Sequence, residues 1–131
     1  MSQENVEIVR RVYQEVTANR ETPRALIGPG YQVDATDVAV EFTVAGYDVS
    51  EAALREYWNT FETFSVELKE LIHADDEGVV TAVCDGGRMK GSGAEVWSHY
   101  FHVWIFRDGK IVRLSIHTDR ARALEAAGLS E

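Results

Sequence analysis

An Asp-Gly pair, Asp108-Gly109, separates two runs of β-forming residues near the end of the chain. Asp-Gly between two such runs is the strongest short-range signal for a β-hairpin, because both residues tolerate the positive φ angles of a tight turn. A two-residue turn at this point places Arg107 opposite Lys110. The sequence therefore predicts a long antiparallel hairpin with strands over residues 95–106 and 111–118.

The register of this hairpin sorts its residues onto two faces, because side chains alternate along a strand. One predicted face is entirely apolar and consists of Phe101, Val103, Ile105, Val112, Leu114 and Ile116. The other is mixed and consists of Tyr100, His102, Trp104, Arg113, Ser115 and His117. The alternation also puts Trp97 and His99 on the apolar side. We expect helices to cover that side. We interpret the mixed face either as a homodimer surface or as an amphipathic face in solvent.

The first half of the chain carries the helices that could supply this cover. Apolar residues recur at helical spacing from Val6 to Val16, and Tyr13 lies on that stripe. A short helix is predicted over 24–27, ended by Gly28-Pro29-Gly30. A third helix after Ser50 carries one apolar face, formed by Leu54, Tyr57, Trp58 and Phe61. The alternation over 38–44 predicts a strand between the second and third helices.

The segment after Phe64 is predicted to be all β up to residue 118, followed by a last helix over 120–127. Gly86-Gly87 interrupt one of these strands and are predicted to be turn or bulge residues. Helices followed by a run of antiparallel strands are typical of an α+β domain. With 131 residues, we expect one domain over 1–131.

Composition excludes several classes of partner. The net charge of -9 disfavours nucleic acid and anionic membrane surfaces, since both need basic side chains. Cys84 is the only cysteine, so no internal disulfide forms, and no Cys/His spacing predicts zinc. No stretch approaches the roughly 18 apolar residues of a membrane span, and the polar, acidic start is unlike a signal peptide. We expect a cytoplasmic protein without a cofactor.

Four segments together resemble the SnoaL-like, ketosteroid-isomerase-like branch of the nuclear-transport-factor-2-like superfamily. They are NVEIVRRVY at 5–13, AALREYW at 52–58, HVWIFRDGKIV at 102–112 and DRARALEAAGL at 119–129. The resemblance implies a cone, in which a curved, mostly antiparallel sheet packs around three helices from the N-terminal half, with a short C-terminal helix. It also implies a pocket at the wide end of the cone and, in many members, a homodimer formed through the outer sheet surface.

The resemblance implies positions for catalytic groups as well. Enzymes of the superfamily carry acids on the last two strands, at positions that the hairpin register maps to Phe101 and Ile116, both apolar here. Tyr13 matches a hydrogen-bonding tyrosine of the isomerases, and Asp34 is the nearest match to their base. Asp34 can alternatively be a strand-edge residue. Asp37 lies in the same segment, but no further ligand completes a metal site with the two.

Further candidates come from the predicted interior face. His99 is either a general acid or base, since its pKa lies near neutrality, or a core histidine. We predict a ligand-binding wall formed by Trp58, Phe61, Trp97, Phe101, Leu114 and Ile116; Trp58, Phe61 and Trp97 can alternatively fill a closed core. Three functions stay open: a proton-transfer isomerase or cyclase acting on a small apolar, possibly cyclic ligand; a domain that binds such a ligand without reaction; and an interaction module acting through its dimer surface.

Overall fold

The computed structural model describes residues 2–35, 38 and 41–129, so Asp37 lies outside the described residues. In chain order the elements are α1 (Ser2–Asn19), a 3-10 turn (Arg24–Leu26), β1 (Ile27–Ala35), β2 (Phe42–Ala45), α2 (Tyr47–Trp58), β3 (Phe61–Ala74), β4 (Gly78–Met89), β5 (Glu95–Arg107), β6 (Lys110–His117) and α3 (Arg120–Ala126). The predicted α+β class is confirmed: three helical segments precede a long β region, and a short helix ends it. No helix in the described ranges is both long and apolar enough to cross a bilayer.

The six strands form one open sheet in the order β2-β1-β6-β5-β4-β3. Only β1 and β6 run parallel; every other neighbouring pair is antiparallel. The apolar stripe of α1, including Val9, Val12 and Val16, packs on the inner face of this sheet together with Leu54 and Trp58 of α2. The main core therefore lies between the sheet and these two helices, as the sequence predicts.

The hairpin turn is confirmed, but the predicted register beyond it is wrong. Arg107 pairs with Lys110, and Asp108 and Gly109 both have positive φ angles. Phe106 then pairs with Ile111, whereas Ile105 pairs with Arg113, so Val112 is an extra residue without a partner on β5. A bulge of this kind shifts the pairing by one residue and exchanges the faces of one strand relative to the other.

The shift reverses the predicted faces of β5. Its inner side chains are Tyr100, His102 and Trp104, which share the core face with Leu114 and Ile116 of β6. The outer face of β5 carries Phe101, Val103 and Ile105, beside Arg113, Ser115 and His117 of β6. The helix α3 and the residue that follows it cover these outer apolar side chains through Ala123 and Ala127. The apolar half of β5 therefore faces α3, and the prediction that it faces α1 and α2 is wrong.

Three boundaries also differ from the predictions. The glycines and proline at 28–30, predicted to end a helix, lie inside β1, where the register against β6 shifts between Ile27 and Gln32. The helix α2 begins at Tyr47 rather than after Ser50, and Phe61 begins β3 instead of extending the helix. Gly86 and Gly87 do not interrupt a strand, because β4 runs through both.

Candidate functional site

A cavity of about 500 Å³ lies between the inner face of the sheet and the helices α1 and α2. Most of its lining is apolar or aromatic, which suits an apolar organic ligand. The apolar and aromatic lining includes Val12, Val16, Ala35, Phe42, Leu54, Trp58, Phe64, Leu114 and Ile116. Two clusters of polar groups stand out against this background on the floor of the cavity, one around Asp85 and one around His102.

The first cluster is a carboxyl group held by a tyrosine. Asp85 lies on β4, and Val79 and Val83 precede it on the same inner face of that strand. Only 6% of the surface of Asp85 is exposed. The hydroxyl of Tyr57, from α2, donates a hydrogen bond to Oδ1 of Asp85 over 2.6 Å. Oδ2 of Asp85 forms no hydrogen bond with any described residue. The lining contains no lysine or arginine among the residues that the structure describes, so no cation compensates the carboxylate.

Burial in this apolar setting raises the pKa of Asp85 from its ordinary 3.8 to about 6, although the Tyr57 hydrogen bond opposes the rise. Burial first, and then the nearby Asp85 charge, also raise the pKa of Tyr57, so Tyr57 stays protonated and acts as a donor. A carboxyl group that titrates near neutral pH is present both as the protonated acid and as the ionised carboxylate. It can therefore accept a proton and return it, as a general acid-base group must.

The second cluster centres on the hydroxyl of Tyr13. It lies 2.7 Å from Oγ1 of Thr81 and 2.9 Å from Nδ1 of His102, and it accepts a hydrogen bond from Nε1 of Trp104 over 3.0 Å. A tyrosine hydroxyl has one proton and two lone pairs, so these three neighbours saturate it. Tyr13 therefore positions His102 and Trp104 and has no hydrogen-bonding capacity left for a ligand.

The histidine in this cluster is neutral. Burial, and then the nearby charge of His117, lower the pKa of His102 to about 3. Because Nδ1 faces Tyr13, the remaining ring nitrogen, Nε2, is the one available to the cavity, and no described residue forms a hydrogen bond with it. At neutral pH His102 thus offers the cavity one uncharged hydrogen-bonding group.

The structure divides the predicted site residues into three groups: those that line the cavity, one in the adjoining core, and those on the outer face. Lining the cavity, as predicted, are Tyr13, Trp58, Leu114 and Ile116. Phe61 is buried in the adjoining core, where it contacts Tyr57 and Phe64. The predicted interior positions of Trp97, His99 and Phe101 are wrong, because the register shift turns them to the outer face. Trp97 is 44% exposed, His99 is exposed, and Phe101 packs in the α3 cluster.

Asp34 also lies away from the cavity. Val33 and Ala35, its neighbours on β1, point inward, so Asp34 points to the outer face, where it is buried. Its carboxylate accepts hydrogen bonds from Nε of Arg113 over 2.8 Å and from Oγ of Ser115 over 2.7 Å, and Nη2 of Arg113 lies 2.6 Å away. This satisfied ion pair ties β1 to β6. It gives Asp34 a structural role and leaves it without contact to the cavity.

The predicted dimer surface changes for the same reason. Tyr100, His102 and Trp104 line the cavity, and only Arg113 and His117 of that set lie on the outer face. Trp97 is exposed on that outer face instead. A homodimer remains a prediction, but the residues that the sequence assigns to its surface need this correction.

The family follows from a comparison with models of known families. The model of the SnoaL-like domain matches residues 9–114, which span most of the chain, both helices over the cavity and nearly the whole hairpin. The chain belongs to the SnoaL-like family. No curated protein sequence matches this SnoaL-like domain significantly.

Solved structures support the same fold. A nuclear-transport-factor-2-like protein of unknown function from Burkholderia pseudomallei has 23% identity and a TM-score of 0.73, with 95% of this chain and 97% of that chain covered. A protein with a ketosteroid-isomerase-like fold from Catenulispora acidiphila, in complex with trimethylamine, has 17% identity and a TM-score of 0.73, covering 94% and 93%. An LEH-like epoxide hydrolase from M. tuberculosis has 18% identity and a TM-score of 0.70, covering 90% and 80%. These identities establish the fold of the SnoaL-like domain and not its activity.

Sequence reasoning missed the residues that carry the polar chemistry of this SnoaL-like domain, namely Asp85, Tyr57 and His102. A signal for Asp85 is present in the sequence: Val79, Thr81, Val83 and Asp85 alternate in one strand, so a carboxylate continues an inward-facing row. Interpreting Gly86-Gly87 as turn or bulge residues that interrupt the strand hides that signal. In the described part of the chain, no group of three His, Cys, Asp or Glu residues could hold a metal ion.

The buried carboxyl group predicts how stability depends on pH. Since the pKa of Asp85 is about 6 in the folded protein and near 3.8 when unfolded, the folded state binds more protons between these values. The contribution of Asp85 to the free energy of unfolding should therefore be largest below about pH 4, fall as the pH rises to about 6, and then level off, a change of about 3 kcal/mol. Asp85→Asn removes this titration, so the variant should gain stability relative to the parent over the same window. Urea unfolding of both proteins from pH 4 to pH 8 measures the difference, and a difference independent of pH would contradict the assignment.

The Asp34 ion pair predicts a purely structural effect. Asp34→Ala leaves the buried Ser115 hydroxyl without its acceptor, so we expect the free energy of unfolding to fall by about 1–3 kcal/mol in urea titrations. Asp34→Asn is the matched control, since it keeps an acceptor oxygen and should lose less. Neither substitution should alter ligand affinity. A loss of ligand affinity with unchanged stability would instead assign Asp34 a functional role.

Proposed function

We propose that this SnoaL-like domain binds an uncharged, largely apolar small molecule in its cavity and transfers a proton on it, with Asp85 as the acid-base group. The observation that carries this proposal is a buried carboxyl group on an apolar cavity wall, held by one tyrosine, with no lysine or arginine among the described lining residues. Burying a carboxylate without a compensating charge costs free energy. Asp34 on the outer face has such a compensating partner, and Asp85 has only Tyr57. A role for Asp85 as an acid-base group in a reaction accounts for this cost in free energy.

The chemistry that fits is proton transfer next to a carbonyl group. The Asp85 carboxylate would remove a proton from the carbon beside a ketone, and the electron pair of that C–H bond would form the enolate. Returning the proton to a different carbon gives an isomer, with Asp85 again ionised. A buried base with a pKa of about 6 suits this cycle near neutral pH. The hydroxyl of Tyr100, which lies beside Tyr57, is the candidate donor to the enolate oxygen.

The charge of the lining supports an uncharged ligand. Glu56 and Asp85 are the acidic residues of the described lining, so an anionic ligand would be repelled. A cationic ligand would pair with Asp85 and stabilise its ionised form, which would weaken it as a base. The Catenulispora acidiphila relative in complex with trimethylamine supports small-molecule binding by this fold.

A second candidate is binding without reaction. It is favoured by the last strand, β6, whose side chains in the cavity, Leu114 and Ile116, are both apolar. Deuterium exchange separates the two candidates. The protein is incubated in D₂O with a panel of uncharged cyclic ketones and enones such as 2-tetralone, and proton NMR follows the signal of the carbons beside the carbonyl. Exchange faster than in buffer supports proton transfer; binding of the panel with no added exchange would leave only the binding function.

A further inference from the structure

The two polar clusters are far apart along the cavity floor. Asp85 and Thr81 lie four residues apart on one face of β4, and His102 on β5 pairs directly with Thr81. The register between β4 and β5 is uninterrupted over this stretch. Four residues of strand, at about 3.3 Å each, separate the Asp85 and His102 positions by about 13 Å. Both side chains face the cavity, so its floor has one polar group near each end.

The floor between these ends offers no charged group. Val83 and Tyr100 form the intervening pair, and Trp104 lies beyond His102. Aromatic side chains from the helices face this floor, with Trp58 among the lining residues. A flat apolar surface between two polar ends fits a molecule made of rings that carries polar atoms only at its ends.

The His102 end can accept either kind of hydrogen-bonding partner. The Tyr13 hydroxyl can donate to Nδ1 of His102, which leaves the proton on Nε2, or it can accept from Nδ1, which leaves Nε2 as an acceptor. Thr81 can take the complementary role in both arrangements, because its hydroxyl both donates and accepts. Nε2 can therefore bind a carbonyl oxygen or a hydroxyl group.

We propose that the ligand is an elongated, uncharged ring compound with an oxygen at each end, one beside Asp85 and the Tyr100 hydroxyl and the other at Nε2 of His102. His102 is thus a ligand-binding residue that selects for a distal oxygen. The assignment of the reacting end to Asp85 rests on the proposed function. The binding role of His102 is measured separately from any turnover.

Rigid biphenyls test this selection. The three probes are 4,4′-dihydroxybiphenyl, with an oxygen at both ends, 4-hydroxybiphenyl, with one, and biphenyl-4-carboxylate, an anion. Isothermal titration calorimetry with the parent protein should find the dihydroxy probe bound about 3- to 10-fold more tightly than the monohydroxy probe, the gain expected from one additional hydrogen bond. The carboxylate should bind most weakly. Equal affinities for the two hydroxybiphenyls would overturn the proposal.

Two variants identify the residue responsible. His102→Phe keeps an aromatic ring and removes Nε2, so the preference for the dihydroxy probe should disappear. Asp34→Asn changes only the outer face, so it should retain the preference. A preference that survives in His102→Phe would overturn the proposal, as would its loss in Asp34→Asn, because the preference would then not depend on His102.

A measurement on the parent protein tests the same proposal without relying on variants that fail to fold. In protein labelled with ¹⁵N-histidine, the Nε2 resonance of His102 should shift on addition of the dihydroxy probe and much less with the monohydroxy probe. No shift with either would overturn the proposal. Deuterium exchange with an unchanged Nε2 resonance would remove this inference and leave the proposed function standing. If the protein prefers the dihydroxy probe but causes no deuterium exchange, the binding role of His102 stands and the proposed proton transfer is removed.

Discussion

Asp85→Asn should lower the rate of ketone deuterium exchange by about 10²- to 10⁴-fold, the usual contribution of a positioned acid-base group. Asparagine has nearly the same shape and can still accept the Tyr57 hydrogen bond, so the cavity keeps its form and loses only the group that takes the proton. Proton NMR of the exchanging carbon, at matched protein concentration, gives both rates. Affinity for the hydroxybiphenyls should change far less than the rate.

The rate of the parent protein should also follow the ionisation of Asp85. Because the carboxylate is the base, exchange should rise as the pH passes through about 6 and reach a plateau above it. Asp34→Asn is the matched control, since it makes the same chemical change on the outer face and should exchange at the rate of the parent. Retention of activity within about threefold in Asp85→Asn, or a rate that is flat from pH 5 to 7, would remove Asp85 from the mechanism.

Gly87→Ala should destabilise the protein by more than about 3 kcal/mol, or prevent folding. A Cβ atom at this position would lie 1.9 Å from the backbone oxygen of Thr63 on β3, and the φ angle of Gly87 is 152°. The clash involves backbone on a neighbouring strand, so no side-chain rotation relieves it. The adjacent Gly86 would clash with the other neighbouring strand, β5, where a Cβ atom would lie 2.0 Å from the backbone oxygen of Val96.

Gly91→Ala provides the control for this prediction. Gly91 also has a positive φ angle, 82°, but no atom lies within 4 Å of the point that a Cβ atom would occupy there. This substitution should cost only about 1 kcal/mol, from backbone strain without a clash. Urea unfolding of the parent and the two variants gives the comparison. Similar losses for the two variants would mean that close strand approach at Gly87 is not the reason for glycine there.

The site is predictable only in part, because its residues depend on a register. Helical periodicity identifies Tyr13 and Trp58, since it is a local property of the chain. The assignment of β5 depends on which residues oppose it, and one unpaired residue, Val112, exchanges its inner and outer faces. The sequence therefore predicts His99 and Trp97 inside and His102 outside, the reverse of their positions in the structure.

By itself, the sequence determined the α+β class, the hairpin turn at Asp108-Gly109 and the apolar stripes of α1 and α2, because turn chemistry and periodicity act between residues close in the chain. Only the tertiary structure decided which face of β5 meets the cavity. Both faces of that strand carry large apolar or aromatic side chains, and both find cover, one under α1 and α2 and the other under α3. Hydrophobicity alone therefore could not choose between the two, and the bulge at Val112 together with the packing of α3 made the choice.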